Sequence, residues 1–270
     1  GAWEEILEEC WAHGARLMGA DPSRFEEGSL EAAEVVRSGT LGEPRLFSSV
    51  FTREAGPADE AGREVPPAAA AAGSAFAMST ACISAARSLF EEEPVEVSAS
   101  ALAGPPEPGA DPELFSAVLR FAGGRLASFT CGFGSANVAE YRVVGTGGDL
   151  RVERAYGAGA DLCHHLTVGG CTQTRRFRRR GQVAPELVYF SDCILYAREP
   201  DPDGLEALTD VGVVEAIRRS LAVGRAVGLG PAEAGRQGAF GPAGGHVAVP
   251  GPGRAPGWAA AAVPAYGAAR

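Results

Sequence analysis

The chain has 270 residues, 46% of them hydrophobic and 21% charged, enough for one large domain or two modest ones with a core that folds without staples. A formal net charge of -10 gives an acidic surface that repels phosphate backbones, which argues against nucleic-acid or anionic-membrane binding by the chain as a whole. Small molecules or other proteins are the expected partners. The six cysteines form no C-x-x-C pair, which points to reduced thiols in a cytoplasmic setting rather than a zinc ribbon or a secreted framework. No apolar run approaches the roughly 20 residues that span a bilayer, and the N-terminus lacks the layout of a signal peptide. The start at Gly1 rather than Met points to an upstream part lost or trimmed.

In chain order, residues 3–13 place Trp3, Ile6, Leu7, Cys10 and Trp11 on one stripe, with Gly14 as a stop, and predict an amphipathic helix. Residues 16–20 read as a short buried strand, and residues 29–38 as a second helix ended by Gly39. This strand and these helices suggest the tail of an α/β layer. From residue 45 onward, RLFSSVFT, VEVSASAL, LFSAVLRF, RLASFTCGF and YRVVGT have strand length and Gly or Pro punctuation. Ala122-Gly123-Gly124 marks a hairpin, TGGDLRVE a further turn and strand, and HHLTVGG another strand. Helices are expected over about 73–89, 185–197 and 206–224. Residues 54–72 read as a surface loop running into a helix. The last forty residues, rich in Gly, Ala and Pro, do not repay their ordering entropy and read as a disordered tail.

The fold class is therefore α/β (α+β): the tail of an α/β layer over 1–40, which the resemblance described next implies is a remnant of a Rossmann domain, then a large, mostly antiparallel open sheet with helices on one face over 41–230, then a tail over 231–270. Taken together and in order, SLEAAEVVRSGTLGEPRLFSSVF, ACISAARSLF, FSAVLRFAGGRLASFTCGFG, EYRVVGTGGDLRVE and PELVYFSDCILYAREPDPDGLEALTDVGVVEAIRRSLAVGRAV resemble the glucose-fructose oxidoreductase, inositol dehydrogenase and MocA-like family. The resemblance covers about residues 2–229. It implies a Rossmann domain that binds NAD(P), followed by an α/β domain whose open sheet supports a sugar or polyol site and a subunit interface, with hydride passing between nicotinamide and substrate.

Several parts that this chemistry needs are missing from the sequence. A dinucleotide site needs a Gly-rich turn that opens a helix, whereas the glycines at 145–149 precede the strand-like LRVE and read as a hairpin turn. The family's Glu-Lys-Pro stretch would precede Gly1, and the sequence contains no lysine: all 24 basic residues are arginine. On the family's active-site helix an acid is followed one turn later by Tyr or His. The resemblance places Ala77 and Ala81 at those positions, and no Asp, Glu, His or Tyr occurs from Val65 to Phe90. Arg24, which with Phe25 matches the family's Arg-Phe, is the candidate cofactor contact; a solvated or ion-paired arginine is the plainer reading.

Cys163, His164, His165 and Cys171 have ligand chemistry that suits zinc. Their spacing is not a standard one, and adjacent strand residues face opposite ways, so no metal is expected there. RRFRRR at 175–180 reads as a solvated strand end or loop. Tyr189, Asp192 and Cys193 read as structural, on a helix packed against the sheet. The reading that follows is of an oxidoreductase relative, inactive by itself and not binding NAD(P) alone, with no catalytic residue of its own. It would pair with itself or with an intact paralogue through the open sheet face. A truncated form of an active sugar dehydrogenase and a sugar-binding or oligomerisation module are the alternatives.

Overall fold

A computed structural model describes residues 2–54, 74–102, 111–156, 160–179, 181 and 183–230. The proposed tail and nearly all of the 54–72 loop lie outside the described residues. Helix α1 (Ala2–Ala12) ends where Gly14, at φ +64°, takes the left-handed conformation that a helix stop requires. Of its apolar stripe, Leu7 is buried but Ile6 and Trp11 are exposed, so the expected single buried face is not realised. Residues 16–20 are not a strand. They form one isolated bridge, Met18 to Asp203, and pass so close to a later helix that a Cβ on Gly19 would lie 2.8 Å from Ala207 Cβ. A 3-10 turn (Pro22–Phe25) leads into α2 (Glu27–Arg37), which ends before Gly39 at φ +74°.

Strand β1 (Pro44–Thr52) is followed by α3 (Ala75–Phe90), which Ser74 caps by accepting a hydrogen bond from Ala77 N at 3.0 Å. Six consecutive strands follow β2 (Pro94–Ala101): β3 (Leu114–Phe121), β4 (Leu126–Gly132), β5 (Val138–Gly145), β6 (Gly148–Glu153), β7 (Leu162–Val168) and β8 (Cys171–Phe177). Helices α4 (Val183–Leu195) and α5 (Gly204–Val223) and the short β9 (Val227–Gly228) complete the fold. The strands form one nine-stranded sheet in the order β8-β7-β6-β5-β1-β4-β3-β2-β9. Every neighbouring pair is antiparallel except β1 with β4. The expected large, mostly antiparallel open sheet is thus what the chain forms.

Alternation decides which face is covered. Along β3, Phe115, Ala117, Leu119 and Phe121 are buried while Ser116, Val118 and Arg120 are exposed. The buried set joins Phe47, Phe129, Val143 and Leu150 from neighbouring strands beneath α3 and α5. Each such side chain contributes about 1.5–3 kcal/mol by leaving water. The other face carries Ser48, Ser116, Ser128 and Thr130 with an exposed apolar group of Leu46, Val118 and Leu126. α3 itself is anchored by charge: Arg87, 1% exposed, donates to both oxygens of Glu93 at 2.6 Å and to Asp210 Oδ1 of α5 at 2.6 Å.

The 145–149 glycines form the expected hairpin turn. β5 ends at Gly145 and β6 starts at Gly148, and a Cβ on these two would collide with the carbonyl oxygens of Leu41 and Thr167 respectively. Helix α4 departs from expectation. It packs on the 3-10 turn, not on the sheet, and leaves Leu187, Val188 and Leu195 exposed. The Tyr189 ring lies 5.1 Å from Phe25, its hydroxyl accepts from Asp201 N at 2.9 Å, and Cys193 is buried.

Candidate functional site

The 19–25 segment, α3 and the first half of α5 enclose a cleft of about 350 Å³. Its wall includes Arg24, Thr80, Ala81, Ser84 and Asp210, with Asp21 at the rim. Each element presents these groups for a local reason. Asp21 is held by a hydrogen bond from its own N to Glu186 Oε1 at 2.8 Å and by hydroxyl donation from Ser84 at 2.9 Å and from Ser23. Arg24, on the 3-10 turn, donates to Glu206 Oε1 at 2.6 Å and lies 3.6 Å from Asp201. Glu206 sits in the first turn of α5, where the Asp203 side chain caps the helix by accepting from Glu206 N at 2.9 Å.

Carboxylates outnumber guanidiniums here: Asp21, Glu93, Asp201, Glu206 and Asp210 surround only Arg24 and Arg87. Burial would weaken the charge of Arg24, but Glu206, Asp201 and Asp21 outweigh it and keep the guanidinium protonated. The same holds for Arg87, whose hydrogen bonds to Glu93 and attraction to Asp210 exceed the cost of burial. The excess acid responds in the opposite sense. Burial, reinforced by Glu206 and Asp21, pushes Asp210 up to about 7 despite the pull of Arg87. Burial likewise raises Glu206, against Arg24 and Arg87. Both directions are consistent, because Glu93 takes two of the Arg87 hydrogen bonds and leaves Asp210 one. A buried carboxyl near neutral can hold or release a proton, and Asp210 lines the cleft.

Of the positions singled out from the sequence, Arg24 and Ala81 meet in this cleft, while Ala77 lies half-buried in the first turn of α3. Arg24 is engaged by acids. Among the described residues no Gly-x-Gly turn opens a helix, and the arginine that lines the cleft, Arg24, is already paired with Glu206.

Sequence reasoning missed Asp21, Arg87, Glu93, Glu206 and Asp210. The one available signal was Arg87 and Asp210 on otherwise apolar helix stripes. The 175–180 arginines are not uniformly solvated: Arg175 pairs with Glu31 at 3.0 Å and Arg179 is buried against Glu26 at 2.8 Å. The Cys/His group is split as well. His164 points into the core, 4.4 Å from the Phe177 ring, and burial lowers it to about 4, whereas Cys171 lies at the far end of the β7–β8 ladder from Cys163.

Residues 29–151, from α2 through most of β6, match the GFO/IDH/MocA C-terminal domain. Over these residues the chain is similar to the Gfo/Idh/MocA family. Among relatives of the family, the NADP(+)-dependent D-xylose 1-dehydrogenase of Haloarcula marismortui is 26% identical over 218 residues, 79% of this chain and 60% of the relative. The chain therefore spans about 60% of the length of that curated relative. The aldose-aldose oxidoreductase of Caulobacter crescentus, solved with glycerol, superposes with a TM-score of 0.73 at 29% identity, covering 84% of this chain and 68% of the other. A 3-ketoreductase of Actinomadura kijaniata, solved with NADP, shares the fold at 19% identity and a TM-score of 0.67, covering 81% of this chain and 65% of its own. Among the described residues, no helix is long and apolar enough to cross a membrane.

Proposed function

We propose that this chain is a non-catalytic relative of NAD(P)-dependent sugar oxidoreductases, whose cleft admits a small polyol but transfers no hydride. The observation that carries the reading is the pair Ala77 and Ala81, methyl groups where the family resemblance calls for an acid and a proton carrier. Loss of one proton-transfer group costs on the order of 10² to 10⁴ in rate. The engagement of Arg24 by Glu206 and Asp201 supports the same reading, since it leaves no unpaired cation for a cofactor phosphate among the described residues that line the cleft. In this proposal residues 1–40 end a dinucleotide layer, and 41–230 act through the open sheet face, pairing with a second copy or an intact paralogue in the cytoplasm. The exposed Leu46, Val118 and Leu126 on that face support the pairing.

The test is a titration of the 270-residue protein with NADPH followed by fluorescence, together with turnover on aldoses and calorimetry with small polyols. Polyol binding at millimolar ligand, with neither saturable nicotinamide binding nor NADPH formation, is the expected result. Reduced nicotinamide formed in proportion to sugar oxidised would overturn the proposal.

The coverage of 60% of the xylose dehydrogenase favours one second reading, in which these residues act within a longer dehydrogenase. The two readings separate when the intact Rossmann unit of a relative is fused ahead of residue 1. The pseudoenzyme reading expects nicotinamide binding without turnover. The dehydrogenase reading expects both.

A further inference from the structure

On the open face of the sheet, far from the cleft in the strand order, three donors of different type converge. Glu153 of β6 is directly opposite Cys163 of β7, and His165 follows two residues along the same strand on the same face. The carboxylate, Sγ and ring nitrogen all lie within 4.8 Å of one another, and His165 Nε2 is 3.5 Å from Glu153 Oε1. Zinc–donor bonds of ~2.0–2.3 Å at tetrahedral angles place neighbouring ligand atoms roughly 3.3–3.8 Å apart. The His–Glu pair already has that separation, and the thiol needs to close by no more than about 1 Å.

The state of His165 points the same way. Its Nδ1 meets Thr174 Oγ1 of β8 at 3.0 Å, the outer-shell contact that fixes a metal-binding imidazole and leaves the other nitrogen as the ligand. That other nitrogen, Nε2, is buried without a hydrogen-bond partner among the described residues. A buried ring nitrogen without a hydrogen-bond partner, 3.5 Å from a carboxylate, costs free energy unless something binds there. Arg151 Nη2, 3.2 Å from Glu153 Oε1, opposes a cation, but it also holds Glu140 at 2.7 Å and keeps that partner when Glu153 turns away.

We propose that Glu153, Cys163 and His165 bind a zinc ion, with water in the fourth position. Thiolate and carboxylate balance the divalent charge, and the mixed sulfur, nitrogen and oxygen set suits zinc over magnesium or calcium. His165 and Glu153 are 29% and 31% exposed, so the ion enters from the open face.

Cobalt(II) is the probe, added to the metal-free, reduced full-length protein. The expected result is one cobalt per chain, a thiolate-to-cobalt charge-transfer absorption in the near ultraviolet, and its loss on adding zinc. Cys163→Ser should abolish the absorption, and Cys171→Ser should leave it intact. Thr174→Val should weaken zinc binding by ~10–100-fold, because it removes the contact that orients His165. If Cys163→Ser does not fold by circular dichroism, the partly exposed His165→Gln decides, with at least a tenfold loss expected. An absent thiolate absorption in the wild type, an absorption unchanged in Cys163→Ser, or unchanged affinity in both Thr174→Val and folded His165→Gln overturns the site.

Discussion

Replacing Arg87 with Met removes a charge that is 1% exposed and leaves Glu93, 6% exposed, and Asp210 without their cation. Removing one member of a buried ion pair costs about 3–5 kcal/mol, because the remaining charge is stranded away from water. For a domain of this size each kcal/mol lowers Tm by about 2–4 °C, so the expected fall is roughly 6–20 °C. The methionine nearly fills the volume, which keeps a cavity from contributing to the loss. The deficit should also depend on pH. Asp210 stands at about 7 in the folded chain and at its ordinary value near ~4 when unfolded. At pH 5.5 Asp210 is protonated in the folded wild type and gives up little when Arg87 goes, whereas at pH 8 it is ionised in the wild type and loses its cation, so the fall is larger at pH 8. Differential scanning calorimetry at both pH values measures this. A fall below ~3 °C, or one equal at the two pH values, refutes the reasoning that α3 and α5 are joined by this ion pair.

Asp210→Asn isolates the proton itself. Since the folded value lies above the unfolded one, the native chain binds more protons between about pH 4 and 7, and wild-type stability falls as pH rises through that window. The Asn variant lacks this component, so its Tm relative to wild type should climb from pH 4.5 to pH 7.5; a constant difference would count against the raised value. Arg179→Ala breaks a pair that is 6% and 7% exposed and should cost about 3 kcal/mol. Arg176→Ala, at an exposed position on β8, should stay within about 0.5 kcal/mol, and urea midpoints that rank the two equally would contradict the burial difference. Gly19→Val drives a side chain into Ala207 on α5 and should cost about 1–3 kcal/mol in the same assay, with no loss expected only if the 16–20 segment is free of α5.

Much of the fold was legible because its signals are local. The alternation in LFSAVLRF and RLASFTCGF, with a Gly-Gly turn between them, specifies the β3–β4 hairpin within a few residues. Gly39 ended α2 where the left-handed conformation is needed. The 16–20 run failed for the opposite reason: its apolar residues pack on α5, nearly two hundred residues away, and not on a neighbouring strand. Helix α4 failed similarly: its apolar residues suggest burial, yet Leu187, Val188 and Leu195 stay exposed where the helix packs on the 3-10 turn.

The sequence by itself determined the sheet-forming class, the family resemblance, and the alanines at 77 and 81, where that resemblance leads one to expect an acid and a proton carrier, because residue type and period are properties of a local stretch. Only the tertiary structure decided that Arg87 binds Glu93 and Asp210, that Arg24 is taken by Glu206, and that Glu153 lies beside Cys163 and His165. Each of these depends on which strand or helix lies alongside another. Strand register brings together groups that the chain order keeps apart, and at such distances charge and burial act through space rather than along the backbone.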